Sequence, residues 1–407
     1  MSSELGRDAW RLPPLDLGTC GPHADFPRLS DTEKAAVWRE YRDGEPQRVP
    51  STLAMNNRVL MLDPRFNTDG LTYAELFENP EAMLLGQLRA QYVMRSRYHL
   101  FCDLPTELPE TWQVSAGFQN VYEAAGFGAP IECRPNDVPT TMPFLNDDNK
   151  RAIFDVDIDH PLELGVYRRG IDMTHAMRKL VEERTFFGRP IEVVPFVVYG
   201  SDGPLTGALN LRGPDIFKDM RRDPEYVHQL HDFLVAAATK RAEAFRTYWD
   251  EPEPDEVWLA DDALANIGVA QYREFVLPYH RKWYDAMDPQ RARIRGMHLC
   301  GDATRHFKTI HDELGVTSFD TGFPVDFAAL RRELGPRVEI SGGVEVPLLL
   351  DGTPERIYER ARAVLTSGVL EGEVFVLHEA NNLPPGVPWA NLAAMYKAAF
   401  DFGQFGG

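Results

Sequence analysis

Apolar and polar positions along the chain follow two different periods. From Ile191 onward, short runs rich in apolar and β-branched residues are separated by longer segments whose apolar residues recur at helical spacing. This alternation is typical of a parallel sheet covered by helices. Six runs predict strands: Ile191–Val198, Glu256–Ala260, Ile294–Leu299, Val316–Phe319, Val338–Ile340 and Val374–Leu377. Two earlier strands are expected near Val49–Leu53 and Val114–Val121.

Helices are predicted in the gaps between these runs. A cap residue followed by Pro at the first helical position opens the segments 223–249 and 353–367. Further helices are expected over Asp31–Asp43, Gln271–Met287 and Pro388–Phe402. A helix therefore lies in nearly every gap between strands, which is the pattern of an α/β protein.

The spacing of strands and helices predicts a single (β/α)₈ TIM-type barrel. The barrel would occupy residues 46–407, and residues 1–45 would form an N-terminal helical and irregular extension. A long insertion is expected around 125–190, because the stretch 130–159 is rich in Pro, Asn and Asp. No internal repeat and no sharp change of composition indicates a second domain.

Charge and composition exclude several classes of function. Asp and Glu total 62 against 43 Lys and Arg, so the net charge is −19, the wrong sign for a nucleic-acid or anionic-lipid surface. No apolar run is long enough to span a membrane, and Met1–Gly6 has no signal-peptide character. The four cysteines form no CxxC pair and no disulfide framework. A soluble, cytoplasmic protein with a small-molecule substrate is expected.

Polar side chains follow five of the predicted strands. In a barrel of this type the active site is built at the C-terminal ends of the strands. The residues at these ends are Asp261-Asp262, His298 with Cys300, Asp320, Ser341-Gly342-Gly343, and His378-Glu379 with Asn381 and Asn382. Carboxylates, imidazoles, a thiol and amides are thus expected to converge on one rim.

His298-Leu299-Cys300 is the most specific of these elements. Side chains at i and i+2 of a strand point to the same face, so the imidazole and the thiol can bind one metal ion. Thiolate with imidazole favours zinc. His378 is a candidate third ligand, and Glu379 could also contribute. A buried thiol beside a hydrogen-bonded histidine, without metal, stays an alternative for a bare HxC pair.

Asp261 and Asp262 point to opposite faces if both lie in extended chain, so at most one of them serves the barrel mouth. A general base, an anchor for another residue and a simple loop cap are all open for this pair. The candidate catalytic residues are Asp261, Asp262, Asp320 and Glu379. The candidate substrate-binding residues are Asn56, Tyr199, Thr206, Gly342, Gly343 and Asn381. Thr206 falls in the segment 203–207, interpreted as a turn or a substrate loop.

A series of short motifs lies between Trp38 and Phe402. They are Arg48-Val49-Pro50, Gly203-Pro204-Leu205-Thr206, Asp223-Pro224-Glu225, Ala260-Asp261-Asp262, Tyr272-Arg273-Glu274-Phe275, Leu277-Pro278-Tyr279, His298-Leu299-Cys300-Gly301, Gly342-Gly343, Gly352-Thr353-Pro354-Glu355, Pro384-Pro385-Gly386-Val387-Pro388 and Asn391-Leu392. Together they resemble the uroporphyrinogen decarboxylase superfamily, and within it the zinc- and corrinoid-dependent methyltransferase branch. Their order and spacing are specific to the fold family and less specific to a reaction.

The resemblance implies a methyltransferase that moves a methyl group between a small molecule and a corrinoid or thiol acceptor. Zinc in that branch is held by a His-x-Cys pair and a later Cys, and His298 and Cys300 match the first two positions. Asn381 stands at the place of the later Cys. The chain has no DxHxxG motif, so a corrinoid would come on a separate carrier protein.

Two other functions stay open. The segment Met55–Leu60 is nearly neutral, whereas the decarboxylase grips its polyanionic substrate with an Arg-rich segment there. One alternative is a decarboxylase or lyase that uses Asp261 or Asp320 as a general base. The other is a non-catalytic small-molecule binder. A homodimer is an open possibility for the assembly.

Overall fold

Two compact units, each assembled from separate segments of the chain, make up the protein. The computed structural model describes Leu12 and residues 14–405. The first unit is formed by Met1–Ser115, Ala176–Val194 and Thr321–Gly407, and the second by Ala116–His175 and Pro195–Asp320. The expected division into an extension over 1–45 and a barrel over 46–407 stays a prediction, and residues 1–11 and 13 lie outside the described part.

The described residues combine strands and helices in a mixed α/β fold. The strands are β1 (Trp112–Val114), β2 (Ile131–Glu132), β3 (Thr140–Thr141), β4 (Thr185–Phe186), β5 (Arg189–Val193), β6 (Glu256–Ala260), β7 (Ile294–Leu299), β8 (Ser318–Thr321), β9 (Glu339–Glu345) and β10 (Phe375–Ala380). β6 and β7 have the bounds that the sequence predicted. The expected strand at Ile191–Val198 ends at Val193.

The helices cover most of the chain between the strands. They are α1 (Asp31–Asp43), α2 (Arg58–Met61), α3 (Tyr73–Glu78), α4 (Pro80–Val93), α5 (Tyr122–Gly126), α6 (Gly165–Val181), α7 (Pro204–Arg212), α8 (Asp215–Arg222), α9 (Pro224–Trp249), α10 (Val269–Gln271), α11 (Leu277–Met287), α12 (Thr304–Leu314), α13 (Phe327–Leu334), α14 (Val346–Asp351), α15 (Pro354–Leu365) and α16 (Trp389–Phe402). None of those in residues 14–405 is both long and apolar enough to cross a membrane.

In the second unit, β6 and β7 run parallel, and their register pairs Ala260 with His298. Ser201 forms a parallel bridge to Leu259 on the other side of β6, and β8 lies beside β7. The long helix α9 packs against α7 and α11. The residues that follow the Ser201 segment, β6 and β7 therefore emerge at one edge of this sheet, because parallel strands end on the same side.

In the first unit, β9 and β10 run parallel, with Phe375 opposite Ile340. A smaller sheet pairs β1 with β5 in parallel and β4 with β5 antiparallel. The segment expected to form a strand at Val49–Leu53 joins β10 only through a bridge between Ser51 and Leu377. The expected strand is therefore reduced to this bridge, which places the segment beside β10.

The expected ends of two strands and the expected continuity of one helix are wrong. The strand expected to end at Ile340 continues as β9 through Gly342 and Gly343, because the glycines leave room for the neighbouring strand: a Cβ on Gly343 would lie 2.4 Å from the His378 carbonyl oxygen. His378 likewise lies inside β10 and does not follow it. The helix expected over Gln271–Met287 is interrupted by a π-turn over 272–276, immediately before Pro278, which has no N–H to donate.

The expected strand at Val114–Val121 and the expected turn at 203–207 are also wrong in kind or extent. β1 ends at Val114. The segment after Gly203 is not a loop but the first turn of α7, with Pro204 at its first helical position. Pro fits this position because the first N–H groups of a helix have no partner within the helix.

Candidate metal centre and adjoining cavity

Asp262, His298 and Cys300 form a cluster at the edge of the second unit's sheet. Their ligand atoms all lie within 4.8 Å of one another, and all three side chains are half-buried. The Nε2 atom of His298 lies 2.9 Å from the Cys300 Sγ and 3.7 Å from Asp262 Oδ1. His298 and Cys300 share a face, as the i, i+2 spacing predicted, while Leu299 between them is fully buried.

The register of β6 and β7 brings Asp262 into this cluster. Because Ala260 pairs with His298, the residue two positions after Ala260 meets the residue two positions after His298. The backbone N–H of Cys300 donates to Asp262 Oδ1 over 2.8 Å. The carboxylate is therefore held against the strand that supplies the other two groups.

Asp320, at the end of β8, fixes the imidazole from the other side. The Nδ1–H of His298 donates to Asp320 Oδ2 over 2.7 Å, which leaves Nε2 directed toward Cys300 and Asp262. Burial disfavours the charged imidazole, but hydrogen bonds and charge from Asp320 and Cys300 outweigh it and raise the pKa of His298 to about 11. Burial also raises the pKa of the Cys300 thiol, against the influence of His298.

The donor set fits a zinc ion. Imidazole nitrogen, thiolate sulfur and carboxylate oxygen are the ligands that zinc takes in proteins, with one position left for substrate at a catalytic site. A carboxylate on the far nitrogen of a ligating histidine is the usual partner that orients the ring. Among the described residues, Asp262, His298 and Cys300 are the ones that come together as three possible metal ligands. His378 is not part of this group.

Asp261 points away from this cluster into the unit and is fully buried. It accepts hydrogen bonds from the N–H of Leu205 at 3.2 Å, from the N–H and hydroxyl of Thr206 at 2.8 and 2.7 Å, and from His280 Nε2 at 2.9 Å. The two adjacent carboxylates thus serve opposite faces of the chain. Asp261 caps the first turn of α7.

Thr206 and Tyr199 were expected to bind substrate, and these roles stay predictions. Thr206 donates its hydroxyl to Asp261 and accepts from the N–H of Ala263 over 3.0 Å. The phenol of Tyr199 lies in the field of Arg246 and Glu251, and its pKa is raised chiefly by burial. The structure therefore gives the Thr206 hydroxyl a local structural contact.

A cavity of about 240 Å³ opens beside His298. Its lining residues come from the segment before α5, the segment before α7, β6 and β7: Tyr122, Glu123, Val198, Gly200, Ser201, Asp202, Trp258, Leu259, Ala260 and His298. Tyr199 is not among them, although both of its neighbours are. The lining thus includes His298 from the metal-ligating cluster and two members, Glu123 and Asp202, of a second group of charged residues.

Glu123, Asp202 and Arg241 make up that second group, and sequence analysis missed it. Glu123 Oε1 lies 2.7 Å from Arg241 Nη1, and Glu123 Oε2 accepts from the N–H of Asp202 over 2.9 Å. Burial, followed by the nearby Glu123 charge, raises the pKa of Asp202 to about 8. The sequence held one signal, the position of Asp202 directly before Gly203-Pro204. Glu123 and Arg241 carry none, because only the fold brings them together.

The remaining candidate residues belong to the first unit. Glu379 is fully buried and accepts from the N–H of Ala54 over 2.8 Å, and the Nδ1 atom of His378 bonds to the backbone carbonyl of Glu379. Asn381 adopts a left-handed backbone with φ of 96°. Asn56 donates to Asn382 over 3.3 Å.

The structure thus brings Asn56 and Asn381 together through Asn382, whose N–H donates to the Asn381 side chain over 2.8 Å. Gly342 and Gly343 lie within β9, where Gly343 permits close packing of β10. Catalytic, metal-binding and substrate-binding roles for these first-unit residues stay predictions.

The second unit thus has the architecture of an α/β protein, with parallel strands and a His-x-Cys cluster where two of them end. The sequence model of uroporphyrinogen decarboxylase (URO-D) matches residues 120–402, which is well over half of the chain. The protein therefore belongs to the uroporphyrinogen decarboxylase family, as its motifs indicated.

Relatives within this family have different named activities. The chain is 29% identical over 213 residues to a methylated-thiol–coenzyme M methyltransferase of Methanosarcina mazei, covering 51% of this chain and 52% of that protein. It is also 29% identical over 188 residues to a uroporphyrinogen decarboxylase of Chlorobaculum tepidum, covering 44% of this chain and 50% of that protein. The chain spans about half the length of the curated relatives it matches.

A solved structure extends the likeness in fold. A methyltransferase from Methanosarcina mazei superposes with a TM-score of 0.60 at 19% identity, covering 92% of this chain and 99% of that one. At this identity the likeness concerns the fold alone. The relatives are enzymes, methyltransferases and decarboxylases among them.

Proposed function

We propose that this protein is a zinc-dependent methyltransferase built on a (β/α)₈ barrel, which moves a methyl group between a corrinoid or other methyl donor and a small thiol. The observation that carries the proposal is the cluster of Asp262, His298 and Cys300 with Asp320 behind the imidazole. The methyltransferases among the relatives and the barrel fold of the family support it.

In this proposal Asp262, His298 and Cys300 hold the zinc ion. The ion, when bound, keeps a substrate thiol in its nucleophilic thiolate form near neutral pH. Asp320 accepts a hydrogen bond from the Nδ1–H of His298. Nε2 of His298 is thereby left as the ligand atom. Asp262 accepts from the N–H of Cys300, which holds the thiol side chain beside the imidazole.

Asp262 also supplies a ligand in place of the later cysteine of the methyltransferase branch, where this chain has Asn381. An amide is a poor zinc ligand, and the resemblance places a third, cysteine ligand at that position. With Asp262 the second unit supplies three ligands of types that zinc accepts. His378 stays the predicted further ligand, and a position for the thiol is needed in either case.

The transfer itself needs little from the protein beyond positioning. The sulfur of the thiol forms a bond to the methyl carbon, the bond between donor and methyl breaks with its electron pair left on the donor, and the thiol proton goes to solvent. A corrinoid donor would be presented by a separate carrier protein, because the chain has no corrinoid-binding motif of its own. The carrier protein is thus the proposed partner.

Carboxylate-based chemistry fits the second unit less well. Asp261, the candidate general base, is fully buried and already accepts four hydrogen bonds. Asp320 is engaged with His298. Neither carboxylate is therefore disposed to take a proton from a substrate in the cavity.

Metal analysis combined with a methyl-transfer assay tests the proposal. The wild-type chain, purified under reducing conditions, is expected to hold about one zinc per chain and to demethylate methylcobalamin in the presence of a small thiol, followed by corrinoid absorbance. Cys300→Ser and His298→Ala should lose both properties while keeping the far-UV circular dichroism of the wild type.

Asp172→Asn serves as the matched control, because Asp172 is an exposed carboxylate of the same unit that pairs with Arg168 at the surface. It should keep zinc and activity. A wild-type protein that binds no zinc, or a Cys300→Ser variant with full activity, would overturn the proposal. A decarboxylase or a non-catalytic small-molecule binder would then become the proposed function.

A further inference from the structure

The cavity beside His298 has an uneven balance of charge. Glu123 and Asp202 both line it, and Arg241 is the cation that pairs with Glu123. No hydrogen bond reaches the Asp202 carboxylate from the residues that the structure describes, although its own backbone N–H donates to Glu123. One carboxyl group thus faces the cavity without a cationic partner of its own.

Other charged groups near Asp202 reinforce this imbalance. Asp261 and Asp262 act on it with the same sign as Glu123, and Arg241 opposes them. The raised pKa of Asp202 reflects burial among these negative charges. A bound cation would oppose this shift, since an opposite charge close by favours the ionised carboxylate.

Aromatic side chains complete the wall of the cavity. Trp258 lies on the sheet against Gly296, where a Cβ would come within 2.5 Å of the indole ring. The indole N–H donates to Glu256 over 2.6 Å, so the ring orientation is fixed. Tyr122 lines the cavity beside Glu123. Aromatic faces next to a carboxylate are the combination that recognises ammonium groups.

The size of the cavity limits its occupant to a small molecule. Its volume of about 240 Å³ is roughly that of eight water molecules at ~30 Å³ each. His298 belongs to the same lining, so one small molecule can reach both His298 and Asp202. Its two ends would then be a thiol and a group that Asp202 binds.

We propose that this cavity selects a small molecule bearing an ammonium group, which pairs with Asp202, so that the thiol acceptor is an aminothiol and not an anionic thiol. The inference rests on the proposed function for the role of the thiol. The selection of a cation over an anion rests on Asp202, Glu123 and the aromatic wall alone.

Three thiols of matched length separate the possible selectivities. Binding of 2-aminoethanethiol, 2-mercaptoethanol and 2-mercaptoethanesulfonate to the zinc-loaded protein is measured by isothermal titration calorimetry. The aminothiol is expected to bind about tenfold more tightly than the neutral thiol, and the sulfonate more weakly than either. Asp202→Asn should abolish the preference for the amine, whereas the control Asp172→Asn should keep it.

A second measurement distinguishes failure of this inference from failure of the zinc site. Ethanolamine and 2-hydroxyethanesulfonate carry no thiol. Their binding to a His298→Ala variant, which lacks both the zinc ligand and the charge of the imidazole that lines the cavity, should show the same preference for the cation and the same dependence on Asp202. A preference for the sulfonate, equal binding of both ions, or an unchanged preference in Asp202→Asn would overturn the inference even if zinc is bound. Loss of zinc alone would affect only the first experiment.

Discussion

Asp261 and Asp262 are adjacent in sequence, and their replacement by alanine should have opposite consequences. Asp261 accepts four hydrogen bonds from fully buried surroundings. At roughly 1 kcal/mol for each bond whose donor is left buried, Asp261→Ala should lower the free energy of unfolding by about 4 kcal/mol. Its carboxylate is not part of the metal-ligating cluster, so zinc binding should survive in the folded fraction.

The expected result for Asp262→Ala is the reverse. Its side chain is 44% exposed and accepts one hydrogen bond, from the N–H of Cys300, so the loss of stability should be about 1 kcal/mol. Zinc affinity, however, should fall sharply. Urea unfolding followed by far-UV circular dichroism measures the first quantity, and competition with a chromophoric chelator measures the second. Equal destabilisation by the two variants, or loss of zinc only in Asp261→Ala, would show that the roles are assigned incorrectly.

Three further substitutions test separate parts of the second unit. Asp320→Asn should lower zinc affinity by about 10- to 100-fold in chelator competition, because the ring of His298 loses its orienting carboxylate, and an unchanged affinity would contradict this. Burial lowers the pKa of His231 from 6.5 to about 4. Between pH 6.5 and 4 this imidazole is therefore protonated in the unfolded chain and neutral in the folded chain. The free energy of unfolding should fall by up to about 3 kcal/mol as the pH drops from 6.5 to 4. His231→Gln should lose this part of the pH dependence, which urea titrations at several pH values would reveal. Gly296→Ala should cost about 1–3 kcal/mol by overpacking against Trp258 and shift the tryptophan fluorescence, whereas unchanged fluorescence and stability would refute the close contact.

Local signals in the sequence predicted local structure well. The helix α9 begins at Pro224 and ends at Trp249, as expected, because Asp223 and Pro224 are start signals that act within one turn. The shared face of His298 and Cys300 follows from the two-residue period of a strand. Asp261 and Asp262 also point in opposite directions, but they lie beyond the end of β6 at Ala260, where a 3₁₀ helix begins at Asp262.

Features that depend on pairing between distant segments were not predictable in the same way. Asp262 reaches Cys300 through the register of β6 against β7, and no local pattern specifies a register. Glu123 and Arg241 meet across two chain segments of the second unit. The lengths of β9 and β10 were underestimated because polar residues and glycines at a strand's end look like a loop when the neighbouring strand is unknown.

The interleaved segments of the two units have a consequence for the order in which the protein acquires its structure during synthesis. The second unit is complete in sequence at Asp320, whereas the first unit still needs Thr321–Gly407. At a translation rate of about 5–20 residues per second, the ribosome takes roughly 4–17 s to make that last segment. The segment around Val49 is made early and stays without β10, its neighbour through Ser51 and Leu377, until the ribosome is well into that last segment. A nascent chain stalled within this interval would therefore carry the residues of the metal-ligating cluster together with an N-terminal segment that still lacks its partner strand.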